Sequence, residues 1–226
     1  MIKFENVTKK FGLITALDDI SFEVRKGDFV FLIGPSGAGK TTVIKLILKE
    51  FLPTQGKVIV DGEETRRISP KKIPLFRRQI GVVFQDFKLL PDKTVLENVA
   101  LPLQIRGILE KEILKKAEEV LNKVGLWERK DLFPSQLAVG EIQRTALARA
   151  VITKPKLLLA DEPTGNLDPI NAQQLIKLFK EVNKEGTTIL MATHNAELVN
   201  FLKERVVCLK EGKIVFDEEK GKYKLD

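Results

Sequence analysis

The stretch Phe29-Val-Phe-Leu-Ile-Gly34-Pro35-Ser36-Gly37-Ala38-Gly39-Lys40-Thr41-Thr42 decides the fold. An unbroken apolar run enters a glycine-rich segment, and Val43, Ile44, Ile47 and Leu48 then recur at helical spacing. The order is strand, glycine loop, helix. Gly34 to Thr41 fits G-x-x-x-x-G-K-[ST]. Glycines lack a Cβ, so consecutive backbone N–H groups can turn inward onto phosphate oxygens. The helix that follows aims its positive dipole end at the same point. Lys40 is expected to reach the terminal phosphates of a nucleotide, and the Thr41 hydroxyl to ligate Mg²⁺. Thr42 is expected to be a further nucleotide contact. A glycine-rich turn can arise by chance, but a strand before it and a helix after it favour nucleotide binding.

Working outward, Leu157-Leu-Leu-Ala-Asp161-Glu162 places two carboxylates just past a second apolar run. Asp161 is expected to hold Mg²⁺ through water, and Glu162 to polarise the water that attacks the γ-phosphate in line. His194 is the only histidine in the chain and ends a third run, Thr187–Ala192. Imidazole can bond both a phosphate oxygen and the attacking water. Alone, the acids read as an ordinary charged strand end, and a single histidine as a structural or exposed one. All three features fall at the ends of predicted strands, where an α/β sheet binds its ligand. That coincidence argues for one site.

The remaining pattern supplies the frame. Ile2, Phe4 and Val7, then Ile20, Phe22 and Val24, alternate as half-buried antiparallel strands. Lys57–Val60 with Asp61-Gly62 reads as a hairpin, Ile80–Phe84 as a strand, and Thr41–Glu50 as a helix. Ile113, Ala117, Val120, Leu121 and Val124 form an apolar helical stripe closed by Gly125. A second helix follows Gly140. Pro169–Asn183 reads as a helix capped by Asp168. Val206–Leu209 and Ile214–Phe216 flank Glu211-Gly212 as a closing hairpin. Strands alternating with helices imply an α/β fold with a mostly parallel sheet. The expectation is one domain over 1–226, with an N-terminal antiparallel β subdomain and a helical subdomain inserted at about 86–153.

The 226 residues are 43% hydrophobic and 31% charged, with a formal net charge of +7. That balance suits nucleic acid, an anionic membrane surface or nucleotide phosphates, and does not choose among them. One cysteine, Cys208, excludes an internal disulfide and reads as a buried strand residue in Arg205-Val-Val-Cys-Leu209. No apolar run approaches the roughly 20 residues a membrane helix needs. The N-terminus lacks the basic-then-apolar layout of a signal peptide. A membrane role is therefore expected to come through a partner.

The motifs also resemble a family. Phe11, Gly34–Thr41, Gln85, Leu137–Glu141, Asp161-Glu162, Asp168 and His194 occur in the order found in ATP-binding-cassette (ABC) ATPases, over nearly the whole chain. Phe29–Lys40, Gly81-Val-Val-Phe-Gln-Asp-Phe-Lys-Leu-Leu-Pro-Asp92 and Glu97-Asn-Val-Ala-Leu-Pro102 are most similar to its cell-division members. Leu159–Pro169 is shared with lipoprotein-release and macrolide-export relatives. The resemblance implies a P-loop NTPase core and an ATPase using ATP and Mg²⁺. It implies that Phe11 stacks on adenine, where a core aromatic is the other reading. Gln85 would contact Mg²⁺ and the attacking water, where a solvated loop glutamine is the other reading. Asp168 would sit at a homodimer interface with ATP sandwiched between the phosphate loop of one copy and the signature segment of the other. It also implies an FtsX-like polytopic membrane partner, a place on the cytoplasmic face of the membrane, and cell-wall hydrolysis as the outcome.

One departure stands out. Where the family reads Leu-Ser-Gly-Gly-Glu/Gln, this chain reads Leu137-Ala138-Val139-Gly140-Glu141. Ala138 lacks the hydroxyl that would donate to the γ-phosphate bound by the partner copy, and a positive φ at Val139 would be strained. Weaker ATP-driven dimerisation and slow turnover are expected. Phe87, Leu89, Leu90 and Pro91 are expected to be exposed and to dock a helix of the membrane partner; packing within the helical lobe is the competing reading. Three other functions compete: an exporter or lipoprotein-release ATPase, a non-hydrolysing ATP-binding regulator, and an ATP-gated nucleic-acid-binding protein. The last needs coiled-coil or zinc insertions that the chain lacks, so no nucleic acid is expected.

Overall fold

The computed structural model describes residues 1–223. Two sheets and a helical lobe divide the chain. In the first sheet β1 (Ile2–Phe11) pairs antiparallel with β2 (Ile14–Val24), Phe4 facing Phe22. Those two rings stack with centroids 4.7 Å apart. The alternation read from the sequence is the cause: Ile2 and Phe4, and Ile20, Phe22 and Val24, turn inward, and the register shifts between Phe4 and Val7. The other edge of β1 carries β4 (Gln55–Val60), which turns at Asp61-Gly62 into β5 (Glu63–Glu64).

The second sheet is built around β3 (Phe29–Ile33), all of whose residues are buried. The remaining strands are β6 (Ile80–Val83), β7 (Leu157–Asp161), β8 (Thr188–Ala192), β9 (Arg205–Lys210) and β10 (Lys213–Glu218). Their order is β10-β9-β3-β8-β7-β6. All are parallel except the closing hairpin strand β10. Register levels the strand ends: Ala192 lies opposite both Leu32 and Asp161. The residues that follow β3, β7 and β8 therefore emerge side by side.

Helices α1 (Lys40–Ile47), α2 (Ile73–Arg77), α6 (Pro169–Lys184) and α7 (Ala196–Leu202) complete this layer. The expected 41–50 helix is shorter at its C-terminus, because Lys49 turns to a left-handed φ of 51°. Between β6 and β7 lie α3 (Val95–Ile105), α4 (Glu110–Lys123) and α5 (Val139–Val151). They close around a core of their own that includes Val99, Leu103, Ala117 and Leu121. Cys208 is buried in β9. Among the described residues no helix is long and apolar enough to cross a membrane.

Candidate functional site

Gly34 leaves the end of β3 with φ 149°, and a Cβ there would lie 2.1 Å from the Leu209 carbonyl oxygen. Gly39 has φ 108°, and its Cβ would meet the Ala16 oxygen at 2.7 Å. These two glycines are needed for both conformation and space. Gly39 caps α1, whose first turn contains no acid, so nothing competes for its unpaired N–H groups. Lys40 is buried; its ammonium donates to the carbonyls of Gly34 (2.7 Å) and Pro35 (3.1 Å).

The strand ends bring in the chemistry. A cavity of about 570 Å³ is walled by Ala16, Ser36–Thr42, Gln85, Glu162 and His194. Asp161 is buried behind the lining residue Thr41, accepting from its hydroxyl at 3.3 Å. Burial, and then the neighbouring Glu162 charge, raise the Asp161 pKa, against the opposing Thr41 hydrogen bond and Lys40 charge. A raised pKa marks a carboxylate that lacks full compensation. A bound cation would supply it. Thr41 and Asp161 are hard oxygen donors that suit Mg²⁺, which keeps waters and draws other ligands from substrate phosphates. No cluster of three or more His, Cys, Asp or Glu residues among those described could hold a metal. The donor set thus fits a nucleotide-borne ion and not a structural one.

Glu162 departs from the strand. Its φ is 48°, held by its N–H donating to the Ala192 carbonyl at 2.9 Å. A left-handed backbone at a non-glycine costs about 1–2 kcal/mol. Here it swings the carboxylate between Lys40 (3.6 Å) and His194, whose Nδ1 lies 2.9 Å away. The His194 backbone N–H also donates to the same oxygen at 3.2 Å. Phosphate loop, Glu162 and histidine, read separately from the sequence, meet in one cavity, Gln85 lines it too, and Asp161 joins them through Thr41.

Other expected residues lie outside that cavity. The Phe11 ring is 40% exposed, packed edge-on to Phe51 (5.0 Å) and beneath the Lys9 ammonium (4.7 Å). Leu137–Glu141 begin α5 in the helical lobe, and Asp168 caps α6 through bonds from the N–H groups of Ile170 and Asn171, both 3.0 Å. The signature expectation needs correction at Val139. It has no positive φ; it is the first residue of α5 and carries no backbone strain. Ala138 is the N-cap, with φ −66° and ψ 155°, and its side chain offers no capping acceptor. Only the reciprocal half of a capping box exists, Glu141 accepting from the Ala138 N–H at 2.9 Å.

The docking segment is also corrected in part. Phe87 and Leu89 pack against the central core, whereas Leu90 and Pro91 are exposed. Both Phe87 and Lys88 have positive φ. Their carbonyls accept from the Arg149 guanidinium at 2.7 and 2.6 Å. Burial lowers the pKa of that arginine. On the far side Asn98, fully buried, bonds Leu90 through both its amide and its carbonyl and also reaches the Lys93 and Thr94 carbonyls. Sequence reasoning missed both clamps. The signal was present for Asn98, a lone polar residue on the apolar Val95–Val99 face. For Arg149 the partners are 61 and 62 residues away and leave no local trace.

The cell division ATP-binding protein FtsE of Streptococcus pneumoniae serotype 2 (strain D39) is 46% identical over 227 residues, covering 100% of this chain and 99% of the relative. FtsE of Bacillus subtilis (strain 168) is 46% identical over 224 residues (99% and 98%), and that of Escherichia coli (strain K12) 45% over 213 residues (94% and 96%). Among solved structures, the ATP-binding cassette MJ0796, a post-hydrolysis dimer bound to ADP and Pi, is 36% identical. It superposes with a TM-score of 0.89 over 99% of this chain and 100% of that one. The structure of cbiO1 from Clostridium perfringens, part of an ABC transporter complex, gives 0.89 at 30% identity over 97% and 88%. Residues 17–165 match the family described as ABC transporter, and with relatives of that similarity along its whole length the chain belongs to it.

Proposed function

We propose that the chain is the ATP-hydrolysing subunit of an FtsEX-type complex, held at the cytoplasmic face of the membrane by an FtsX-like polytopic protein. ATP-driven pairing of two copies would be transmitted to that partner in cell division, where it activates cell-wall hydrolysis. The observation that carries the ATPase part is the Lys40–Glu162–His194 arrangement over the buried Asp161. The likeness to FtsE proteins carries the cellular part.

The residues divide the work. Lys40 exchanges its Gly34 and Pro35 carbonyls for terminal phosphate oxygens as nucleotide enters, while backbone N–H groups of Gly37–Thr41 cradle the remainder. Mg²⁺, when bound, neutralises charge on the phosphates, and Thr41, Asp161 and Gln85 would hold it. Glu162 accepts a hydrogen bond from the attacking water and draws off its proton as the water oxygen bonds to the γ-phosphorus and the bond to the bridging oxygen of ADP breaks, releasing ADP and phosphate. His194 fixes the Glu162 carboxylate and faces the γ-phosphate. Phe11, with an exposed ring, stacks on adenine. Leu137–Glu141 and Asp168, none of which lines the cavity of their own chain, close over ATP bound by a second copy. Ala138 offers that ATP no hydroxyl, so turnover is slow.

Membranes solubilised with and without ATP test the cellular part: a tagged full-length chain should retain one FtsX-like polytopic protein. Recovery of an exporter-type or lipoprotein-release membrane subunit instead would select the competing reading. Absence of ATP-dependent phosphate release, with ATP still bound, would select the non-hydrolysing regulator.

A further inference from the structure

Asp168 and Gly140 belong to different helices yet meet over one side chain. Asn171, in the first turn of α6, donates its amide nitrogen to Asp168 Oδ2. A carboxylate only accepts, so the nitrogen must face Asp168 and the amide oxygen must face away. That oxygen lies against the first turn of α5, 3.0 Å from where a Cβ on Gly140 would sit, with the amide carbon at 3.2 Å. Gly140 does not have a positive φ, so its backbone imposes no need for glycine; a methyl there would crowd the Asn171 amide, which would have to give by a few tenths of an ångström. The N-termini of α5 and α6 thus abut through a half-buried amide that touches neither the cavity nor its lining.

We propose that Asn171 is a positioning residue. It ties the Asp168 turn to the first turn of α5, so that two parts of one copy approach the nucleotide of the other as a single unit, and Gly140 is glycine to admit it. This rests on the reading that Gly140 and Asp168 face ATP bound by a second copy.

The tie lies within one chain and can be tested first without added nucleotide. In the full-length protein, Asn171→Ala should speed hydrogen exchange at the amides of residues 139–141 several-fold while leaving β3 and β8 unchanged. Unchanged exchange at 139–141 overturns the tie itself. Turnover tests its purpose. Losing one hydrogen bond to a charged, solvent-accessible group should lower kcat about tenfold, with KM for ATP unchanged because the Lys40 side of the site is untouched. The isosteric Asn171→Asp, which keeps volume but removes the donor, should do the same; wild-type turnover in that variant overturns the proposal. Gly140→Ala should be harmful in the parent and add nothing to Asn171→Ala, since the methyl then enters vacated space. Multiplying effects in the double variant overturn the shared-space argument. Faster exchange with unaltered kcat in every variant overturns the two-copy reading on which the proposal stands.

Discussion

Ala138→Ser should act twice, in two separable measurements. The N-cap backbone is already in place at φ −66° and ψ 155°, and Glu141 already accepts from the residue 138 N–H. A serine oxygen adds a side-chain acceptor for the Glu141 N–H, which otherwise donates to the Ala138 carbonyl at 2.9 Å, and completes the capping box. Replacing alanine by serine at an N-cap is worth about 1 kcal/mol. For a chain of this length that is a rise in Tm of about 2–4 °C, measured by thermal unfolding without nucleotide. The same hydroxyl has a proton left to donate to the γ-phosphate held by the other copy. A hydrogen bond to a charged group contributes about 1.5–3 kcal/mol. A homodimer has two such sites, so even the lower value tightens the ATP-dependent dimer by about 100-fold. Sedimentation of the variant in a Glu162→Gln background, which holds ATP uncleaved, reads that change. A Tm gain without tighter pairing would refute the placement of residue 138 over the second nucleotide. No Tm gain would refute the cap geometry. Val139→Gly should not help: with Val139 already helical, glycine loses about half a kcal/mol of helix propensity.

Glu162→Gln should lower ATP turnover by at least about 100-fold while ATP affinity persists, because the amide cannot take the water's proton; phosphate release and nucleotide binding measure the two effects. Asn98→Leu should cost about 1–3 kcal/mol in denaturant unfolding, since it removes the side-chain partners of the Leu90 N–H and the Lys93 carbonyl from a part-buried turn; a loss under 1 kcal/mol would show that water replaces the amide. Asp168 has its pKa lowered by Asn171 and the α6 backbone. A depressed carboxyl pKa stabilises the native state above the ordinary value of 3.8 and loses that contribution as pH falls through the folded value. Asp168→Asn should therefore flatten the acid limb of the stability curve below pH 3.8, and an unchanged limb would contradict the cap.

What the sequence carried best was local and periodic. The run Phe29–Ile33, the glycine loop and the helix after it are fixed by neighbours within a few residues, and each lies where its spacing placed it. The meeting of the phosphate loop, Glu162 and His194 was also legible, because each follows the carboxyl end of a parallel strand, the side where such a sheet binds its ligand. Shorter elements escaped. The five-residue α2 contains Pro74 near its start and has too few turns to show a period. The start of α3 went unread although Thr94 and Glu97 form a capping box there, and Pro102 within the helix conceals its extent. Val139 was misjudged because a family pattern implies a conformation only where the same residue is present. Here valine begins the helix directly. The clamp of Arg149 on Phe87 and Lys88 is a tertiary contact with no spacing rule to reveal it.

That Leu137–Glu141 do not line the cavity of their own chain has a genetic consequence under the proposed pairing. Each reaction centre would be a composite, inherited half from one molecule and half from its neighbour. Two differently crippled alleles, one broken at Lys40 and the other at the start of α5, could then restore one working centre when expressed together. Neither allele alone would form any.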